Sequence, residues 1–172
     1  MVHQFKKSLD VGCRGEQLVE QYFNQNDKIQ KWKRVTANRV YQLLDTDYVV
    51  TFKSGKEATV EVKTSTYTDD KYIFFETISD MHNNTPGCMY QSTADYIFYY
   101  FINIDKCYVM SREHLVCVFD TLKDIKHFER RIVKNRSKSG GLYKTEGYLV
   151  PTELIQQVLG PVCKVISLRS DV

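Results

Sequence analysis

Two short stretches hold the residues whose types and spacing could do chemistry. In Thr59-Val60-Glu61-Val62-Lys63-Thr64-Ser65, strict alternation puts Thr59, Glu61 and Lys63 on one face of an extended strand and Val60 and Val62 on the other. A carboxylate and an ammonium thus project from one side, one step apart. Just upstream, "QLLDTDYVV" sets Asp45 and Asp47 two residues apart, again on a common strand face. A turn at residues 53–56, containing Gly55, joins the two stretches as a hairpin, so neighbouring strands can present Asp47, Glu61 and Lys63 toward one point. Carboxylates brought together repel one another unless a cation sits between them. Oxygen ligands with no His or Cys nearby suit Mg²⁺, which binds one or two carboxylates, keeps several waters and completes its shell with substrate phosphate. Such an ion would polarise a phosphate and lower the pKa of a bound water. Lys63 would position that water or offset charge in the transition state.

The elements that must position these groups can be read from the surrounding pattern. Residues 11–25 read as a helix capped by Ser8 or Asp10, with Leu18, Val19, Tyr22 and Phe23 on one face. Gly12 and Gly15 share that face, where a missing side chain lets a helix approach a sheet. Glu16 projects about 20° from Phe23 on the helical wheel, at the edge of the apolar face, where it could add a further ligand. Strands are predicted at 33–36, 41–52, 58–64, 72–77, 96–102 and 107–110, with residues 96–102 apolar enough to be covered on both faces. The polar residues 79–89 read as a loop. A helix is predicted over 112–128, although residues 116–119 are equally strand-like. Residues 134–147 are glycine-rich and basic and read as a mobile segment. A short strand at 148–150 and a last helix opened by Pro151 follow. Together these elements predict an α/β fold, a mixed central β-sheet flanked by helices.

In order and approximate spacing, Glu16 in "GCRGEQLVEQYF", Asp47 in "LLDTDYVV" and Glu61-Val62-Lys63 resemble the signature of the PD-(D/E)xK nuclease superfamily. Type II restriction enzymes, Holliday-junction resolvases and small phage nucleases belong to it. The likeness covers about residues 10 to 66. Thr46 stands where the family's motif has proline, and Asp45 competes with Asp47 for the metal role. The resemblance implies a restriction-endonuclease-like core and divalent-metal-dependent hydrolysis of DNA phosphodiester bonds. It implies that Asp47 and Glu61 bind Mg²⁺ (Mn²⁺ substituting), helped by the Val62 carbonyl, that Lys63 assists the nucleophile, and that Glu16 is the helical glutamate of resolvase-like branches. Gln91, in "PGCMYQSTADYIFYYF", is added by analogy with exonuclease-like branches, where a glutamine organises the site.

Bulk properties limit the alternatives. A chain of 172 residues with 42% hydrophobic and 26% charged residues suits a single folded domain. No apolar run approaches the roughly 20 residues that span a bilayer, and the start lacks the apolar segment of a secretory signal. A cytoplasmic protein of a bacterial or phage-infected cell is the expectation. Five scattered cysteines form no zinc or disulfide pattern. Net charge is only +3, but residues 121–144 gather eight Lys/Arg against Asp124 and Glu129. This basic segment is the natural phosphate-binding arm, through Arg130, Arg131, Lys134, Arg136, Lys138 and Lys144, with Thr64 and Ser65 adding hydroxyl contacts. DNA is the expected partner, RNA stays open, and junction resolution would suit a symmetric dimer. No base-reading motif stands out, which favours structure-directed cleavage at a junction, flap or end. The plain readings compete. A Glu–Lys pair on a strand is common, Glu16 could be a solvated helix residue, Gln91 a loop hydrogen-bonder and the basic stretch a solvated surface. The chief functional alternative is a nucleic-acid-binding protein that keeps the scaffold without turnover. A small-molecule enzyme using acid–base carboxylates has no supporting motif.

Overall fold

A computed structural model describes residues 2–3, 5–137 and 139–169. In chain order the elements are β1 (Val2–His3), α1 (Phe5–Gln25), β2 (Ile29–Arg34), α2 (Arg39–Leu43), β3 (Tyr48–Phe52), β4 (Glu57–Ser65), β5 (Tyr72–Asp80), β6 (Thr85–Pro86), α3 (Cys88–Gln91), β7 (Tyr96–Phe101), β8 (Lys106–Ser111), α4 (Arg112–Lys126), β9 (Glu129–Arg136), β10 (Leu142–Pro151), α5 (Thr152–Leu159) and β11 (Cys163–Ile166). The fold is mixed α/β. Among the described residues no helix is long and apolar enough to cross a membrane.

The strands form two sheets rather than one. The larger runs β11-β8-β7-β4-β3-β2. Within it β2, β3 and β4 are an antiparallel meander, β7 lies parallel to β4, and β8 and β11 continue antiparallel. The turn at Gly55 (φ 83°) closes the β3–β4 hairpin as the sequence predicts, with the Phe52 N–H bonded to the Lys56 carbonyl at 2.8 Å. The parallel register of β7 on β4 is pinned at its start, where Asp95 accepts from both the backbone N–H (2.7 Å) and the hydroxyl (2.9 Å) of Thr59. The second sheet, β1-β9-β10-β5-β6, comes from residues 2–3, from the connection between β4 and β7 and from the late part of the chain.

Alternation along β7 shows how the layers meet. Phe98 and Tyr100 face α1, whose Val19 and Phe23 pack with them on Tyr48, Val50, Val60 and Val62. Ile97, Tyr99 and Phe101 face the other way, into a core shared with Ile73, Phe75 and Val150 of the second sheet and with Leu115, Phe119, Ile155 and Leu159 of α4 and α5. Burying a Phe or Leu stabilises the fold by about 1.5–3 kcal/mol relative to leaving it exposed, so this double coverage explains why 96–101 is apolar nearly throughout.

Several boundaries differ from the sequence reading. The first helix starts at Phe5, ahead of Ser8 and Asp10, so neither caps it. Residues 41–43, read as the start of a strand, belong to helix α2, which Asn38 caps by accepting from the Val40 N–H at 2.9 Å. Within 79–89, read as loop, lie the end of β5, β6 and the start of α3. The basic stretch 121–147 is not a loose arm. It holds the end of α4, all of β9 and half of β10, two strands that pair antiparallel from Leu142–Arg136 to Leu149–Glu129. Gly140 and Gly141 serve the hairpin turn, where Gly140 takes φ 90°, while Gly147 lies within β10. Pro151 ends β10 and caps α5 from outside the helix.

Candidate active site

Glu61 and Lys63 lie on the face of β4 that points away from α1, beside Ile97 and Tyr99 of β7. Asp47 immediately precedes β3, its backbone held by the Val60 carbonyl (2.9 Å) and the Val35 N–H (2.8 Å). Its Oδ2 accepts from the Val62 N–H at 2.9 Å, which draws the Asp47 carboxyl in between Glu61 and Lys63. In an extended strand the N–H and C=O of one residue point to the same neighbour, so the Val62 carbonyl also turns to the side from which Asp47 approaches. Lys63 Nζ contacts Glu61 Oε1 at 2.7 Å and Asp45 Oδ2 at 3.9 Å. Asp45 does not share a strand with Asp47. It sits in a left-handed turn (φ 46°), which aspartate tolerates, and its carbonyl accepts from the Ser92 hydroxyl at 2.8 Å.

Burial sets the electrostatics. Glu61 is 3% exposed, and its Oε2 is buried without a hydrogen-bond partner. Desolvation pushes its pKa up to about 8; Lys63 opposes the rise, and Asp47 and Asp45 add to it. Asp47 is also raised, chiefly by desolvation, with the Val62 N–H and Lys63 acting against it. For Lys63 burial disfavours the ammonium, but Cys88, Glu61 and Asp45 outweigh that and hold its pKa well above the usual lysine value. Lys63 is therefore a fixed cation, a hydrogen-bond donor and no general base.

One member of the group was not foreseen. Glu76, on β5 of the second sheet, accepts from the Cys88 N–H at 3.1 Å; burial raises its pKa while Lys63 lowers it. Nothing in "YIFFET" marks it, since only the packing of one sheet on the other brings it near Lys63. The start of α3 fills the same corner, and a side chain at Gly87 would overlap the Glu76 backbone. The Cys88 thiol is buried there and its pKa raised, first by desolvation.

The remaining predicted residues lie elsewhere. Glu16 is carried by α1, which packs on the face of the sheet opposite Glu61 and Lys63, and is ion-paired with Arg34. Thr64 faces α1 and packs against Gly15, where a Cβ would overlap it. Ser65 is buried, with its hydroxyl accepting from the Tyr67 N–H at 3.2 Å. Gln91 donates to the Leu43 carbonyl at 2.7 Å and ties α3 to the segment that leads into Asp45. Arg130 is paired with Glu146, and Arg131 with Glu129 at 2.8 Å. Lys134, Arg136 and Lys144 are exposed on the β9–β10 hairpin, and Lys138 lies outside the described residues.

Among the described residues no group of three or more His, Cys, Asp or Glu is arranged to hold a metal by itself. The carboxyls of Asp47 and Glu61, with the Val62 carbonyl on the same side of β4, offer hard oxygens, and one of them, Glu61 Oε2, is buried without a hydrogen-bond partner. That set fits Mg²⁺, which needs only one or two protein carboxylates when water and phosphate supply the rest. No family model matches the sequence, and no curated protein is similar to it at a significant level.

Proposed function

We propose that this chain is a divalent-metal-dependent nuclease that hydrolyses DNA phosphodiester bonds, with Asp47, Glu61 and Lys63 at its centre. The observation that carries the reading is the bare, buried Glu61 Oε2 beside Asp47 and a fixed lysine cation. A buried carboxyl oxygen left without a partner costs free energy that a bound cation would offset. The topology supports the reading too. A helix on one face of an antiparallel meander, with the next sheet strand parallel to the third, is compatible with a restriction-endonuclease-like core.

In this reading Asp47, Glu61 and the Val62 carbonyl hold Mg²⁺, and Mn²⁺ takes the same ligands. The bound ion supplies Lewis-acid polarisation of the scissile phosphate and a water of lowered pKa. Lys63 stays protonated and donates a hydrogen bond toward the negative charge that builds on the phosphoryl oxygens. The Val62 N–H fixes the Asp47 carboxyl so that one oxygen stays turned to the site. Glu16 is paired with Arg34 and is given no role in this reading. Without a base-reading element, cleavage is directed by DNA structure, at a junction, flap or end.

The test is digestion of single-stranded, duplex and branched DNA by the purified protein with Mg²⁺ or Mn²⁺. Cleavage abolished by Asp47→Ala and by Glu61→Ala is the expected result. Cleavage that survives both substitutions removes these residues from the mechanism. Salt-sensitive DNA binding with no hydrolysis under any metal would replace the enzyme by a binding protein on the same scaffold.

A further inference from the structure

The β9–β10 hairpin carries an outward face that the acidic cluster does not explain. Its register pairs Ile132 with Glu146, Lys134 with Lys144 and Arg136 with Leu142, so all six side chains share one face. The opposite face is turned inward: Thr145 is buried, and its hydroxyl accepts from Asn135 at 2.7 Å and donates to the Ser79 carbonyl at 3.0 Å. On the outward face Leu142 is 66% and Ile132 47% exposed, among three exposed cations. Glu146, the one acid on that face, is taken by Arg130. Among the described residues neither Lys134 nor Lys144 has a carboxylate within ion-pairing distance. Two like charges placed directly across an antiparallel pair destabilise it, so the fold tolerates a repulsion that a bound polyanion would relieve. Apolar side chains beside the cations add something a simple phosphate site does not need. Proteins that kink DNA insert such side chains between base steps and hold the flanking backbone with Lys and Arg.

We propose that this face binds duplex DNA at an unstacked or broken base step, with Lys134, Arg136 and Lys144 on backbone phosphates and Leu142 inserted as the wedge. This rests on the nuclease reading for its partner, and it narrows the substrate to DNA already weakened in its stacking, such as a nick, bulge or junction. The hairpin also sets a distance. Gly147 of β10 pairs with Glu76, at the acidic cluster. From there to Leu142 the strand runs about 17 Å at ~3.4 Å per residue, with the cluster and the proposed DNA face on opposite sides of it.

The experiment measures binding in EDTA, so it needs no hydrolysis and its outcome is read apart from the digestion test. The probe is a nicked duplex with 2-aminopurine beside the nick, titrated at several salt concentrations. For Lys134→Gln/Lys144→Gln the slope of log affinity against log salt should become shallower by about 1.8, the value for two lost phosphate contacts. The same variant should melt no lower than the parent, because the repulsion is gone. Leu142→Ala should keep the slope but lose most of the 2-aminopurine fluorescence rise seen with the parent. An unchanged slope and affinity in the folded lysine variant overturns the proposal. So does an unchanged fluorescence rise with Leu142→Ala. A self-association that Leu142→Glu abolishes while DNA binding is untouched assigns the face to a second copy of the chain, and also overturns it.

Discussion

Replacing Glu61 by glutamine should make the metal-free protein more stable at pH 8 while leaving it nearly unchanged at pH 5. The folded chain holds the Glu61 proton up to about pH 8, whereas an ordinary glutamate gives it up near 4.5. Between those values the folded state binds more protons than the unfolded state, so stability is full below pH 4.5 and is lost as pH rises toward 8. A rise from 4.5 to about 8 corresponds to at most about 5 kcal/mol. Even a third of that would move the melting temperature of a chain this size by about 3–6 °C. Asp47 and Glu76, both raised by burial, tilt the curve the same way. Glutamine imitates the protonated acid in shape and still accepts from Lys63, so the variant skips the cost of ionisation. Thermal melts in EDTA at pH 5 and pH 8 check this, and repeating them with Mg²⁺ links it to the site. Mg²⁺ should raise the pH 8 melting temperature of the parent and not of the variant, since only a ligand of the folded state stabilises it. Parallel melting curves for the two proteins across the pH range, or a variant less stable than the parent at pH 8, would refute the reasoning.

Three further outcomes are expected. Gly15→Ala should destabilise by about 1–3 kcal/mol through overpacking against Thr64, even though alanine gains about 1 kcal/mol in helix propensity; a double-mutant cycle with Thr64→Ala in urea should show positive coupling. Phe119→Ala should cost about 3–5 kcal/mol, because the ring is 1% exposed and stacks on Phe75 at 3.9 Å; chemical denaturation measures it. Lys63→Gln should lower the single-turnover rate of DNA cleavage about 10²–10³-fold, the scale of losing one preorganised donor to a developing oxyanion, with little change in DNA affinity measured in EDTA.

What could be read from the sequence was whatever local pattern decides. The alternation of 57–65, the turn at Gly55 and the doubly apolar run 96–101 are period-two signals, and the strands sit where those signals fall. The neighbourhood of Asp47, Glu61 and Lys63 followed from that hairpin alone. Where one side chain tips the balance, the pattern misled. Val40 and Tyr41 suit a strand, yet the Asn38 cap makes that segment a helix. Glycines 140 and 141 suggested looseness over 134–147, while the strands on either side pair across the whole length. Glu16 fell on the correct side of its helix for packing, but Arg34 on β2 claims its carboxylate. Glu76 was invisible because its place depends on a second sheet, and no spacing rule along the chain encodes how two sheets stack.

The dependence of Glu76 on that second sheet has a consequence for synthesis. β5 takes its long antiparallel neighbour from β10, which is among the last strands to leave the ribosome. A chain terminated before Leu142 has the whole hairpin of Asp47, Glu61 and Lys63, yet lacks the strand that pairs along most of β5. The second sheet, and with it the seat of Glu76 beside Lys63, would be complete only as translation nears its end.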